Sequence, residues 1–398
     1  MIKFYTAFTE EIDDPQMAAE EIIEQLNPSE NMRKNTIGIV HFHYDFAEES
    51  IWRQFAEALP FELAGCMSVY IGAGGQYSDT AVSVTMLTSD DVSFTVKTID
   101  HIASKATAEI NSELEALLRD LSAEKKPKLI IPFLSSTPSY TVNDLYDSAN
   151  AIDSQIRLFG MQAFSIDGRL NSAFILGNEK MSSDMCALIA FYGNIEPQFH
   201  INTSLFYDET FGEEAVITDA ERVVLKSVNG IPALEYFKKQ GLISSENIDT
   251  GAGVMSVPAI IKYTNGTKGM CAFLGVVKDT EYLFAARALE PGAKIVFSHI
   301  DSEKTLESAK SMINEICETK ENNLIIFSSA SRAWASPNVF AEMQKIAESA
   351  KSYEEENGKP LEYSIAYTGG EICPYIAAEG EDYMNMIHNY TLSVCAFS

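Results

Sequence analysis

Arg332, the run Gly369-Gly370-Glu371 and the pair His388-Asn389 form the densest group of chemistry-bearing residue types in the chain, with Pro374 and Thr391 beside them. An arginine grips a carboxylate with two parallel hydrogen bonds, and a glutamate accepts from an amine or guanidinium. Paired glycines let backbone amides approach a ligand closely. A small zwitterion would satisfy both charges. Arg332 follows an apolar strand, Glu371 ends a return strand, and His388 opens the strand after it. Loops at one sheet edge would then gather Arg332, Gly370, Glu371, Pro374, His388, Asn389 and Thr391 around a ligand-binding cleft, where open α/β sheets place their ligands. The plainer reading is a turn at Gly369-Gly370 and an internal ion pair between Arg332 and Glu371. An enzyme using Glu371 or His388 as general base is the alternative from a different class.

Other candidates carry less. His41 and His43 alternate along a strand and share a face, but no third metal ligand is fixed near them. Gly72-Ala73-Gly74-Gly75 lacks the Lys and Ser/Thr that complete a phosphate cradle, so it reads as a loop. The cysteines at 66, 186, 271, 317, 373 and 395 are scattered without a Cys-x-x-Cys pair. Reduced, mostly buried thiols follow, with no metal site. No cofactor is expected; a haem carried on one of the six histidines is the remaining alternative.

The elements that would position these residues repeat along the chain. Ile37–Phe42 is a short, apolar, β-branched run and reads as a buried strand. A helix through Ile51, Phe55 and Ala58 follows, then a return strand ending at Ala64-Gly65-Cys66, then Thr80–Leu87. The order recurs as Lys128–Leu134, a helix through Leu145 and Ile152, a return at Leu158-Phe159-Gly160-Met161, and Met185–Phe191. A third copy runs from Asn323–Phe327 through a helix capped by Ser336-Pro337, a return over Glu362–Gly370 and a closing strand over Asn389–Phe397. Such internal similarity means repeated strand–helix–strand–strand units. The expected fold is α/β (α+β), with mixed sheets covered by helices. Between the second and third copies, Ser256–Tyr263, Gly269–Val277, Phe284–Ala286 and Lys294–His299 read as strands of a β-rich segment. Two domains follow, 1–243 with two repeats and 244–398 with the β-rich start and the third.

The chain has 398 residues, 29 Lys+Arg against 57 Asp+Glu and a formal net charge of −28. A polyanion would be repelled, which excludes nucleic acid and disfavours an anionic membrane leaflet. With 46% hydrophobic and 10% aromatic residues the chain can build a real core. No apolar run approaches the ~18 residues of a membrane span, and no signal-type segment opens the sequence. A cytoplasmic protein is expected.

The segment Tyr363–Phe397, with Gly370-Glu371-x-x-Pro374 and His388-Asn389-x-Thr391 before a final strand, resembles the C-terminal signature of FIST domains. Leu63-Ala64-Gly65-Cys66, Val216-Ile217-Thr218, Asn229-Gly230-Ile231-Pro232-Ala233-Leu234-Glu235-Tyr236, Pro291-Gly292 and Ile326–Arg332 resemble further family segments in family order. Two departures stand out: Met67-Ser68-Val69-Tyr70-Ile71 follows Gly65-Cys66, and Ser328-Ser329 replaces a Ser-Cys before Arg332. The resemblance implies a sensory module for a small ligand, an amino acid or similar metabolite, held by the C-terminal residues named above. With the chain filled by the two halves, it implies output through a separate partner such as a kinase, cyclase or chemoreceptor, or through an oligomer. It also carries the haem alternative, since some members are haem-based gas sensors.

Overall fold

The computed structural model describes residues 1–135, 140–153, 155–164, 172–177, 179–204, 210–243, 257–319, 321–375 and 383–398. The first unit runs β1 (Lys3–Thr9), a helix (Pro15–Leu26), β2 (Asn35–Phe42), a helix (Glu49–Ala58), β3 (Glu62–Met67), the hairpin β4 (Ile71–Ala73) and β5 (Gln76–Ser78), and β6 (Val82–Ser89). The second repeats that order: β7 (Ser93–Asp100), a helix (Thr107–Ser122), β8 (Leu129–Leu134), a helix (Val142–Ile152), β9 (Gly160–Gln162), the hairpin β10 (Ile175–Gly177) and β11 (Lys180–Ser182), and β12 (Met185–Tyr192).

The third unit opens with β13 (Gln198–Thr203) and is then interrupted. The insert holds β14 (Thr210–Glu221), β15 (Val224–Val228), β16 (Ile231–Pro232), a helix (Ala233–Lys239), β17 (Ala259–Lys262), β18 (Lys268–Cys271), β19 (Phe273–Val276), β20 (Leu283–Ala285) and β21 (Lys294–Ser298). The unit resumes with a helix (Ser302–Cys317), β22 (Asn323–Ser329), helices Ala330–Trp334 and Ala341–Asn357, β23 (Glu362–Thr368), the hairpin β24 (Gly370–Tyr375) and β25 (Met384–His388), and β26 (Thr391–Phe397).

The three units have one strand order. In the first sheet it is β1-β6-β2-β3, in the second β7-β12-β8-β9, in the third β13-β26-β22-β23, with the last two strands of each parallel and the rest antiparallel. Each unit gives its hairpin away. β4–β5 of the first extends the third sheet beside β23; β10–β11 of the second extends the first beside β3; β24–β25 of the third extends the second beside β9. The exchange closes into a ring, so no unit completes its sheet alone. The insert forms a separate antiparallel sheet with its own core around Phe237, Phe273 and Phe297.

Local chemistry accounts for most elements. Asp14 caps the first helix by accepting from the amides of Gln16 and Met17 at 3.0 and 3.1 Å. Ala18, Ala19, Ile22 and Leu26 form its buried stripe. Ile110, Leu114, Leu118 and Leu121 do the same for Thr107–Ser122 against the outer face of the second sheet. The inner faces of all three sheets meet in one core, where Phe4 packs on Phe397 at 5.1 Å between ring centroids. At its centre His41, Phe133 and Phe327, one from the second strand of each sheet, touch one another at 5.8–6.4 Å.

Several expectations change. Of Gly72–Gly75, the first two residues belong to β4, and Gly74-Gly75 alone form the tight turn to β5, at φ +55 and +90, as a two-residue hairpin loop requires. The helix expected from Ser336-Pro337 begins at Ala341, because the Asn338 side chain accepts from the Phe340 amide at 3.0 Å and holds that stretch in a turn. The helix Ser302–Cys317 and strands β13–β15 have no counterpart in the sequence reading. The expected domain boundary at 243/244 falls inside the insert, at the edge of residues 244–256, which lie outside the described set together with the first residue of the Ser256–Tyr263 strand. Structurally the third unit begins earlier, at β13, since that strand pairs with β26.

Candidate functional site

The third hairpin differs in chemistry from the two it resembles. Glu371 pairs with Met161 of β9; the residues in the corresponding register are Ile175 opposite Cys66 and Ile71 opposite Ala366. Across each hairpin Glu371 faces His388, whereas Ile175 faces Ser182 and Ile71 faces Ser78. The fold therefore accepts an apolar residue at this position twice. In the third unit it holds a fully buried carboxyl.

Glu371 is gripped on both oxygens: the Thr368 hydroxyl donates to Oε1 at 2.5 Å and the Thr391 hydroxyl to Oε2 at 2.6 Å. Burial pushes its pKa up to about 8, against the opposing pull of the two hydroxyls and of the Arg332 charge. His388, half-buried, has its Nε2 3.1 Å from the Cys373 carbonyl oxygen. Burial pushes its pKa down to about 4, so the imidazole is neutral at neutral pH and Nε2 donates that bond.

Arg332 stands elsewhere. Its Nε donates to Glu342 Oε1 at 2.8 Å, Nη2 donates to the same oxygen, and Nη1 donates to Ser204 Oγ at 2.7 Å. Ser328 and Tyr367 hydroxyls donate to the other oxygen of Glu342 at 2.5 and 2.9 Å. The ion pair expected between Arg332 and Glu371 is not formed; Arg332 pairs with Glu342 instead. Two-pronged binding of a ligand by Arg332 does not fit this placement, because its side chain is fully enclosed.

A cleft of about 190 Å³ lies between the insert and the third unit. His388, Asn389 and Thr391 line one side; Lys268, Gly269 and Arg287 of the insert line the other. Glu371 sits behind Thr391, and neither Gly370 nor Pro374 reaches the cleft: Gly370 pairs with Gln162 and Pro374 with Asn385 in the ladders. Asn389 ties the sides together, its Oδ1 3.4 Å from the Ala272 amide.

Arg287 and Gly269 escape the sequence reading altogether. Arg287 is 7% exposed, donates from Nη1 to the Met270 carbonyl at 3.1 Å, and lies 5.3 Å from the Tyr263 ring centre. A Cβ on Gly269 would lie 1.7 Å from Arg287 Nη1, so only glycine leaves room for the guanidinium. The available signal was a lone cation in the apolar stretch Phe284–Leu289. His41, by contrast, is buried at the triple aromatic contact, and His43 lies beyond the end of β2 near Asp45. All six cysteines are unpaired. Among the described residues no group of three or more His, Cys, Asp or Glu is placed to hold a metal ion.

Three α/β units that exchange hairpins in a ring, with a β-rich insert packed on the third, make up the architecture. The sequence model of the FIST N domain matches residues 36–231 and that of the FIST C domain matches residues 233–374. The chain belongs to the FIST family of sensory domains. The junction between the two matches falls within the insert, at β16. A search of curated proteins gave no match. No described helix is long and apolar enough to cross a membrane.

Proposed function

We propose that this protein is a cytoplasmic sensory module that takes a small metabolite into the cleft between the insert and the third unit and signals through a separate partner protein. The observation behind the reading is the departure of one unit from its two siblings. Where they carry isoleucine opposite serine, the third carries Glu371 opposite His388, next to a cleft. A buried carboxyl is costly to fold, and the sibling units demonstrate that the architecture does not need it. The cleft also lies on the contact between two modules, so occupancy there can bias how the insert sits on the ring, which is the change a partner would read.

The acid–base reading has one observation in its favour, the opposite displacement of the Glu371 and His388 pKa values. Against it, both Glu371 oxygens are occupied by threonine hydroxyls and Thr391 stands between them and the cleft. Haem ligation by His388 is not favoured, because its Nε2 is engaged by the Cys373 carbonyl oxygen at 3.1 Å.

The test is native mass spectrometry of the protein as purified, followed by Asn389→Leu, which alters the cleft lining. A small molecule retained by the wild type and lost from the folded variant is the expected result. Turnover of that molecule would move the protein to the enzyme class.

A further inference from the structure

We infer that the cleft selects a small anion, a short-chain monocarboxylate, with Arg287 as its charge partner. The inference rests on the cleft being the ligand site and adds the class of ligand.

The argument begins with two buried arginines. Arg332 is 2% exposed and has Glu342 on it; Arg287 is 7% exposed and, among the described residues, has no carboxylate within ion-pairing distance. Among the described residues its Nε has no hydrogen-bond partner. Acids outnumber bases 57 to 29 in this chain, so a missing counter-ion does not reflect a shortage of carboxylates. A desolvated guanidinium left without an anion is destabilising, and an anion entering the cleft relieves that cost. Gly269 is the second built feature, since its missing Cβ is what lets the guanidinium lie against the strand.

The rest of the lining fits one end of such a ligand each. Asn389 presents a side-chain amide, while Ile201, Met270 and Met386 give apolar walls suited to a short alkyl chain. Among the described residues no acidic one lines the cleft. Glu371, the carboxyl that would meet an ammonium group, is shielded by Thr391 and has both oxygens engaged. A zwitterion or an amine therefore lacks a partner for its positive end, and a simple carboxylate does not need one.

Calorimetric titration of the purified full chain with butyrate, butyramide, 2-aminobutyrate and butylammonium tests this. These probes have similar size and differ in charge. Butyrate should bind about tenfold or more tightly than butyramide, the factor expected for a charge-assisted pair over a neutral one. It should also bind more tightly than 2-aminobutyrate, and butylammonium should not bind. In Arg287→Met the preference of butyrate over butyramide should vanish. The wild-type comparison stands even if that variant does not fold. Butyramide, 2-aminobutyrate or butylammonium binding as well as butyrate, with crystal soaks placing them in the cleft, would overturn the anion inference and leave the cleft as the ligand site. Butyrate located outside the cleft, or binding equally to Arg287→Met, would overturn it as well. If none of the four binds and the molecule found by native mass spectrometry occupies the cleft as a neutral or cationic species, the inference fails alone. If nothing occupies the cleft, both readings fail.

Discussion

Glu371 stands where Ile71 stands: each lies five residues beyond its counterpart in the return strand and begins the hairpin that a unit donates to its neighbour. One position thus carries an apolar side chain in one unit and a buried carboxyl in another, with the same backbone pairing around both. The comparison separates what the ring needs from what the third unit adds.

Glu371 makes stability depend on pH. Its pKa is raised from 4.5 to about 8 in the folded protein, so the folded state holds a proton that the unfolded state releases. The contribution is complete below about pH 4.5 and is lost as pH rises through 8. Glu371→Gln has no proton to lose. Urea denaturation at pH 5, 7 and 9 should show the variant gaining on the wild type with increasing pH, by roughly 3–5 kcal/mol at the top of the range. A constant difference would count against a protonated Glu371.

His41 works in the opposite sense. Burial lowers its pKa to about 4, against a smaller opposing pull from the Cys66 backbone. The unfolded state takes up the proton first, so stability present above about pH 6.5 is lost as pH falls toward 4. His388, lowered to about 4 as well, adds to the same window. His41→Phe completes the aromatic set with Phe133 and Phe327. It should cost no more than about 1–2 kcal/mol at pH 7 and remove roughly 3 kcal/mol of acid sensitivity between pH 7 and 4. Parallel acid-unfolding curves for variant and wild type would refute this.

Arg332→Met leaves the Glu342 carboxylate buried with only the Ser328 and Tyr367 hydroxyls. The expected loss is about 3–5 kcal/mol in urea denaturation. The double variant Arg332→Met/Glu342→Leu should recover much of it, because no charge remains buried. Ligand affinity should be unchanged in whichever variant folds. A folded Arg332→Met that loses its ligand would return Arg332 to the site.

The return strands are tightest at two glycines. A Cβ on Gly65 would lie 1.9 Å from the Val40 carbonyl oxygen, and one on Gly160 would lie 2.1 Å from that of Pro132. Gly65→Ala and Gly160→Ala should each cost about 2–3 kcal/mol or more, since backbone must move. Gly370→Ala meets only the end of the Ile387 side chain at 3.2 Å and should cost less than either. Melting temperatures of the three variants decide the ranking.

The amino-acid sequence by itself carried the strand–helix–strand core of each unit and the internal repetition, because both rest on local signals. Apolar β-branched runs mark β2, β8 and β22; a proline after Asp14 marks a helix start; glycines mark the returns. It also singled out His388, Asn389 and Thr391, which are neighbours along the chain and share the cleft for that reason. Tertiary structure decided the rest. The exchange of hairpins pairs Glu371 with Met161 of another unit, and nothing in either segment's periodicity names its partner. Arg332 meets Glu342 because a turn held by Asn338 delays the helix and sets its first residues back over β22. Arg287 reaches the cleft because the insert packs on the third unit, bringing β18 against β25. Strand and helix follow from side chains a few residues apart. Which strands adjoin, and which charge faces which, depends on burying surface between segments far apart in sequence, where the chain pattern is silent.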